Sequence, residues 1–274
     1  MKHVGMNVCA DAFINSAITG ANGGLVVVAC DDPSQHSSQN EQDSRFYADF
    51  AMVPCFEPSS QQEAFDMVRE AFEYSESRHI PVLMRLTTRM AHSRAVVSTG
   101  DILEENPIHF PEPERASNWV TLPGNAKRRV RQLAEDVHIF EADSESSEDN
   151  ALVPGKDLGT GVIACGIAYN YLMENYPDGC PYPVLKVTRY PFPKKLAREL
   201  AGQCRRLIVL EEGQPLIEER LRGILYDKVN AAVTISGRLD GTLPRTGELT
   251  PDIVRTALGL APVEAYCASE VTVP

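Results

Sequence analysis

The chain has 274 residues, 43% of them hydrophobic and 23% charged, so it has the composition of a soluble globular protein with room for one or two domains. A formal net charge of −12 argues against nucleic acid and anionic membrane surfaces as partners, while leaving room for a local anion site. No apolar run is long enough to cross a bilayer and Lys2-His3 leads into no signal-peptide core, so a cytoplasmic location is expected.

The first unit runs from residue 1 to about residue 97. Ala10 to Thr19 reads as a helix, because Phe13, Ile14, Ala17 and Ile18 recur at three-to-four spacing. Ala21-Asn22-Gly23-Gly24 turns the chain, and Leu25 to Cys30 reads as a buried strand. Met52 to Phe56 is a second short strand. Pro58-Ser59-Ser60 opens a long helix, with Ser60 and Glu63 spaced as a capping box. Its expected apolar stripe is Ala64, Met67, Val68, Ala71 and Phe72. Pro81 to Leu86 is the next strand, ending in Thr87-Thr88-Arg89. Strands alternating with helices imply a parallel sheet covered by helices.

Residues 98–157 read as a linker, broken by Pro107, Pro111, Pro113 and Pro123, with one helix over Ala126 to Phe140. The acidic run from Asp143 to Asp149 is expected to be solvated, and Lys127-Arg128-Arg129 to be a solvated helix face. A second α/β unit covers residues 158–262, followed by a tail at 263–274. Its strands are Gly161 to Cys165, Val184 to Val187, Leu207 to Leu210 and Val233 to Ile235. Its helices are Ile167 to Tyr176 and those opened by Pro193, Pro215 and Thr250-Pro251.

Few motifs carry chemistry. Gly159-Thr160-Gly161 with Gly166 has the wrong spacing for a dinucleotide turn and reads as a strand–helix turn. Glu211 and Glu212 end a strand beside Gly213; they could act as acid and base, but capping the next helix or pairing with basic side chains is the more frequent role. The seven cysteines are scattered without a C-x-x-C pair, so they form no zinc or iron–sulfur framework. His36 has no spaced second histidine, which makes a metal unexpected, and Ser37 and Ser38 lack a nucleophile elbow. The strongest concentration of polar groups is Asp31 to Asp43, directly after the first strand, with Lys2, His3 and Asn7 ahead of the first helix. Both groups converge on one end of a sheet, where open α/β folds bind ligands.

Several longer segments are specific in wording: KHVGMN, NSAITGANGGLVVV, HSSQNEQDSR, EPSSQQEAFDM, PVLMRLTTRMAHSR, GVIACGIAYNYL, LIVLEEGQPLIEERLR and LPRTGELTPDIVRTAL. Together they resemble the large (alpha) subunit of the indolepyruvate:ferredoxin oxidoreductases, which belong to the thiamine-diphosphate-dependent 2-oxoacid:ferredoxin oxidoreductase family. The resemblance implies an α/β chain made of a truncated thiamine-diphosphate-binding pyrimidine domain and a transketolase C-terminal-like parallel-sheet domain. It implies oxidative decarboxylation of an aryl pyruvate, with CoA accepting the acyl group and ferredoxin the electrons. Thiamine diphosphate with Mg²⁺ would be shared with further domains, and [4Fe-4S] clusters would lie only in those domains. The small (beta) subunit is an implied partner. By the same resemblance Lys2, His3, Asn7, His36, Ser38 and Gln39 line the cofactor–substrate cleft, with Glu41 and Asp43 bracing the loop through Arg45.

The resemblance also shows what is not in this sequence. The glutamate expected on the aminopyrimidine and the domain's first strand would precede Met1, leaving the strand over Leu25 to Cys30 as an open edge. No GDG metal loop is present. The chain alone is therefore expected to be inactive. A non-catalytic interaction module, a decayed remnant of the subunit, and a part of a sister enzyme for pyruvate or 2-oxoglutarate remain as alternatives.

Overall fold

The computed structural model describes residues 1–102, 107, 110, 116–226 and 233–263. Pro111, Pro113, Cys267 and most of the expected tail lie outside these residues. In chain order the elements are α1 (His3–Val8), α2 (Ala10–Thr19), β1 (Val26–Asp31), α3 (Arg45–Ala51), β2 (Cys55–Phe56), α4 (Gln61–Arg78), β3 (Val82–Thr87) and α5 (Thr88–His92). A 3₁₀ turn at Ser117–Trp119 precedes α6 (Pro123–Ser146) and β4 (Ala151–Val153). Then come β5 (Thr160–Cys165), α7 (Ala168–Glu174), β6 (Val184–Val187), β7 (Arg189–Tyr190), α8 (Lys194–Gln203), β8 (Arg206–Leu210), α9 (Leu216–Ile224), β9 (Thr234–Ser236) and α10 (Pro251–Ala257).

Two sheets result. The first has the order β1-β3-β2-β7 and the second β4-β6-β5-β8-β9. Within the first, β1 and β3 run parallel from Val26↔Val82 to Asp31↔Thr87, so Asp31 and Thr87 end side by side. Within the second, β6, β5, β8 and β9 are parallel, and β4 adds an antiparallel edge on β6. This is the expected α/β architecture of mostly parallel sheets under helices.

The sheets are not separate bodies. After β6 the chain passes through Thr188 and immediately forms β7, which pairs antiparallel with β2 of the other sheet (Cys55↔Tyr190). A single extended segment thus belongs to both. One apolar cluster accordingly runs from Met6, Phe13 and Leu83 of the first unit to Ile163, Leu207 and Ile217 of the second.

Three expectations need correction. The supposed linker is built into the fold, because α6 extends to Ser146 and Ala151–Val153 form a strand. Its acidic run is not simply solvated: Asp143 accepts from the Tyr74 hydroxyl (2.8 Å) and Arg78 (3.0 Å), and Glu145 accepts the Lys195 N–H (2.6 Å) at the start of α8. Third, His3 and Asn7 do not merely precede a helix but lie inside α1, which Cys9 separates from α2. The edge of β1 is partly covered as well, since Cys30 N–H donates to the Met1 carbonyl (2.8 Å) and Lys2 bridges to Cys30.

Along α4 the stripe narrows to Met67 and Ala71, both buried, while Phe72 is left 46% exposed. Among the described residues no helix is long and apolar enough to cross a membrane.

Candidate functional site

Asp31 and Asp32 divide the work at the end of β1. Asp32 organises the loop: its carboxylate accepts the N–H of His36 (3.0 Å) and Ser37 (3.0 Å), the Ser38 hydroxyl (2.7 Å) and the Thr88 hydroxyl (3.0 Å). Burial works against the charge, but these donors outweigh it and hold the Asp32 carboxyl well below the usual carboxylate range. Lys2 closes the other side, with Nζ donating to the Ser37 carbonyl (2.7 Å) and hydroxyl (2.8 Å) and standing 3.4 Å from Asp32.

A second loop covers this one. Arg238, buried, donates to the carbonyls of Glu211 (2.9 Å), Pro244 (2.6 Å) and Gly247 (2.8 Å), which curls residues 238–249 into place. Glu248 is thereby set against His36 Nε2 (3.2 Å) and Arg89 (2.8 Å), its own N–H donating to Ser34 Oγ (2.8 Å). Gly247 N–H donates to Glu41 (3.2 Å). The segments HSSQNEQDSR and LPRTGELTP, distant in sequence, therefore meet at the C-terminal ends of the strands.

Beneath them lies a buried ion network that joins the units. Arg45 donates to Asp43 (2.6 Å), to Glu211 (2.7 Å) and to the carbonyls of Glu212 (3.0 Å) and Gln214 (2.9 Å). Arg85, in the middle of β3, donates to Asp31 (2.6 Å), to Glu57 and to the Glu212 carbonyl (3.1 Å). Burial would raise Asp43, but the guanidiniums of Arg45 and Arg85 overcome it and hold its carboxyl at about 2. Burial wins at Asp31, Glu211 and Glu212, each pushed above the ordinary carboxylate value. Gly213 is required here: its φ is +90°, and a Cβ would stand 2.7 Å from Asp43 Oδ2.

The structure brings Lys2, His36 and Ser38 together around Asp32 and Glu248. His3 is close by in sequence but fully buried, with neither ring nitrogen bonded. Asn7 and Gln39 are exposed. Ser38 turns its hydroxyl to Asp32, which makes it a brace for the loop in this geometry. Asp43 pairs with Arg45, as the resemblance implied. Glu211 has the structural role: it accepts from Ile217 and Glu218 N–H at the start of α9 and pairs with Arg45. Sequence reasoning did not find Arg85, Arg238 or the hub role of Asp32. For Arg85 a signal existed, since a lone charge within VLMRL of a buried strand demands a buried counter-ion.

Among the described residues no three His, Cys, Asp or Glu side chains stand together to hold a metal ion. His3 keeps two unpaired, fully buried ring nitrogens beneath the ring of contacts among Lys2, Ser37 and Asp32.

Comparison with known proteins agrees with this architecture. No family model matches the chain. It is 39% identical over 276 aligned residues to the indolepyruvate oxidoreductase subunit IorA of Methanothermobacter thermautotrophicus, covering 97% of this chain and 44% of that subunit. It is 37% identical over 272 to the same subunit of Archaeoglobus fulgidus, covering 97% of this chain and 42% of the relative. The chain thus spans less than half the length of these relatives. A 2-oxoglutarate:ferredoxin oxidoreductase from Magnetococcus marinus, solved with 2-oxoglutarate, coenzyme A and succinyl-CoA bound, shares the fold with a TM-score of 0.62 over 94% of this chain and 52% of that one, at 12% identity.

Proposed function

The chain belongs, over the part it spans, to the family of the indolepyruvate oxidoreductase IorA subunits, and from this we propose that it forms part of a thiamine-diphosphate-dependent oxidoreductase. The enzyme would oxidatively decarboxylate aryl 2-oxo acids such as indolepyruvate to acyl-CoA and pass the electrons to ferredoxin. One observation carries the reading: the loops at 32–43 and 238–249, which overlap the resembling segments HSSQNEQDSR and LPRTGELTPDIVRTAL, are locked together by the Ser34, His36 and Glu41 contacts at the strand ends.

Bound thiamine diphosphate supplies the electron sink that decarboxylation of a 2-oxo acid requires. This chain's residues shape the wall around it. Asp32 fixes the backbone of 36–38, and Lys2 offers a cation. His36, with half of its side chain exposed, stands ready to orient a substrate carboxylate while Glu248 fixes its ring. Ser38 acts through Asp32 as a positioning residue. Magnesium, the iron–sulfur clusters and the contacts to CoA, ferredoxin and the small subunit are assigned to the portion of the enzyme that this chain does not span.

The reading is tested with indolepyruvate, CoA, thiamine diphosphate, magnesium and a viologen acceptor. The chain alone should give no turnover. Added to a Methanothermobacter large-subunit fragment lacking the matched segment, together with its small subunit, it should restore viologen reduction. In that complex His36→Ala and Ser38→Ala should lower turnover, His36→Ala by on the order of 10²-fold, the usual loss of a donor aimed at developing charge. Tight association without any turnover would instead mark a non-catalytic interaction module. Full activity of both variants would move the site away from this loop.

A further inference from the structure

We propose that the cleft where α3, α6 and α9 meet is a binding site for a compact, uncharged aromatic molecule. The cleft encloses about 350 Å³, within the roughly 300–1,000 Å³ of ordinary small-molecule sites. Its walls come from three parts of the fold: Ala48 and Met52 at α3, Ala134 and Val137 on α6, and Phe192 and Leu216 beside α8 and α9. It contains none of the residues around Asp32, so it is distinct from the loop site.

Two features define the ligand. The first is charge. Every charged side chain on the wall is already matched: Arg45 with Asp43 and Glu211, Arg220 with Asp49 (2.7 Å), and Lys194 with Glu141. A charged guest would give up hydration and find no surplus counter-charge, which disfavours it strongly. The second is surface. Phe192 presents an aromatic ring and Met52 an adaptable thioether, a pairing suited to a flat ring system. Folded interiors rarely keep voids of this size, and apolar ones stay dry and accept small aromatic guests.

The position adds a consequence. A molecule in the cleft touches α3 of the first sheet's cover, the long helix α6, and α9 of the second, so binding should stabilise their arrangement and raise the unfolding temperature. The mouth is flanked by the Arg220–Asp49 and Lys194–Glu141 pairs, whose side chains are partly exposed and able to part.

The purified chain is titrated with 6-fluoro-2-naphthol, followed by ¹⁹F NMR and thermal unfolding. Saturable binding and a rise in unfolding temperature are expected. Ala134→Trp, which fills the cleft from its solvent edge, should weaken binding at least ten-fold. Phe50→Ser, on an exposed apolar residue of α3, should leave it unchanged. Naphthalene-2-carboxylate should bind at least ten-fold more weakly than the naphthol. Nuclear Overhauser contacts from the probe to the Met52 methyl, and Val137→Phe as a second filling variant, decide the matter if Ala134→Trp does not fold. The proposal is overturned by no saturable binding, by equal binding in the filled variants, by loss in Phe50→Ser, by contacts away from Met52, or by tighter binding of the carboxylate.

Discussion

Glu212 shows how the environment of one side chain sets its chemistry. Its Oε1 accepts the Leu249 N–H (2.8 Å), while Oε2 is buried without a hydrogen bond, close to Thr87 and Tyr171, whose hydroxyls are likewise unsatisfied. Burial raises its carboxyl more than the Leu249 N–H and the Arg85 guanidinium lower it. A raised folded value means that the fold prefers the protonated acid. That contribution is complete below the unfolded value near pH ~4.3 and is lost as pH rises through the folded one. Glu212→Gln keeps the acceptor for Leu249 and supplies a donor where the proton sat. The variant should be more stable than the parent at pH 8 and about equal to it at pH 4. Urea unfolding at the two pH values measures this, and a variant destabilised equally at both would mean that the ionised form is tolerated.

At the scale of elements, periodicity was a good guide wherever one side of an element is buried. The helix expected over Ala10 to Thr19 has those bounds, because Phe13 and Ala17 are its buried residues and Gly20 ends it. The Ser60 cap is present too: its hydroxyl accepts the Glu63 N–H (3.2 Å), although Glu63 reaches back to Ser59 N–H (2.5 Å), one residue from the capping-box partner. Ser60→Ala should therefore cost about 1 kcal/mol, or roughly 2–4 °C in the unfolding temperature. Calorimetry on the variant decides it, and an unchanged temperature would mean that the Glu63–Lys186 pair alone anchors the start of α4. The elements that escaped sequence reading are short: the helices α1, α3 and α5 have five to seven residues, and the strands β4, of three residues, and β7, of two, are antiparallel additions defined by their partners. No pattern of alternation can be read from two residues. The site divides in the same way. The Lys2, His36 and Ser38 grouping was legible because turn-forming polar residues follow a strand, whereas the Arg238 scaffold and the buried state of His3 depend on segments remote in sequence.

For the whole molecule, the question is what makes two sheets behave as one body. The segment shared by β6 and β7 ties them covalently, and Arg45 ties them electrostatically. Its guanidinium is almost wholly buried, holds Asp43 from its own loop, and reaches Glu211 and two carbonyls of the second unit. Such an ion pair adds little net stability compared with apolar packing, yet removing one member leaves a buried charge uncompensated at a cost of about 3–5 kcal/mol. Arg45→Met, similar in volume, isolates that effect. The expected result is a loss of that size at neutral pH, with calorimetric unfolding changing from one transition to two as the coupling between the units weakens. The pH dependence gives the sign. Because Arg45 holds Asp43 at about 2, the parent carries a stabilisation that is complete above the unfolded value near pH ~3.9 and fades as pH falls towards the folded one. The variant should lack much of that acid slope. Adding Glu211→Gln to Arg45→Met should restore part of the stability, since it neutralises one of the two orphaned carboxylates. If the double variant is no more stable than the single one, Arg45 acts by packing, and the covalent passage through Thr188 is what couples the sheets.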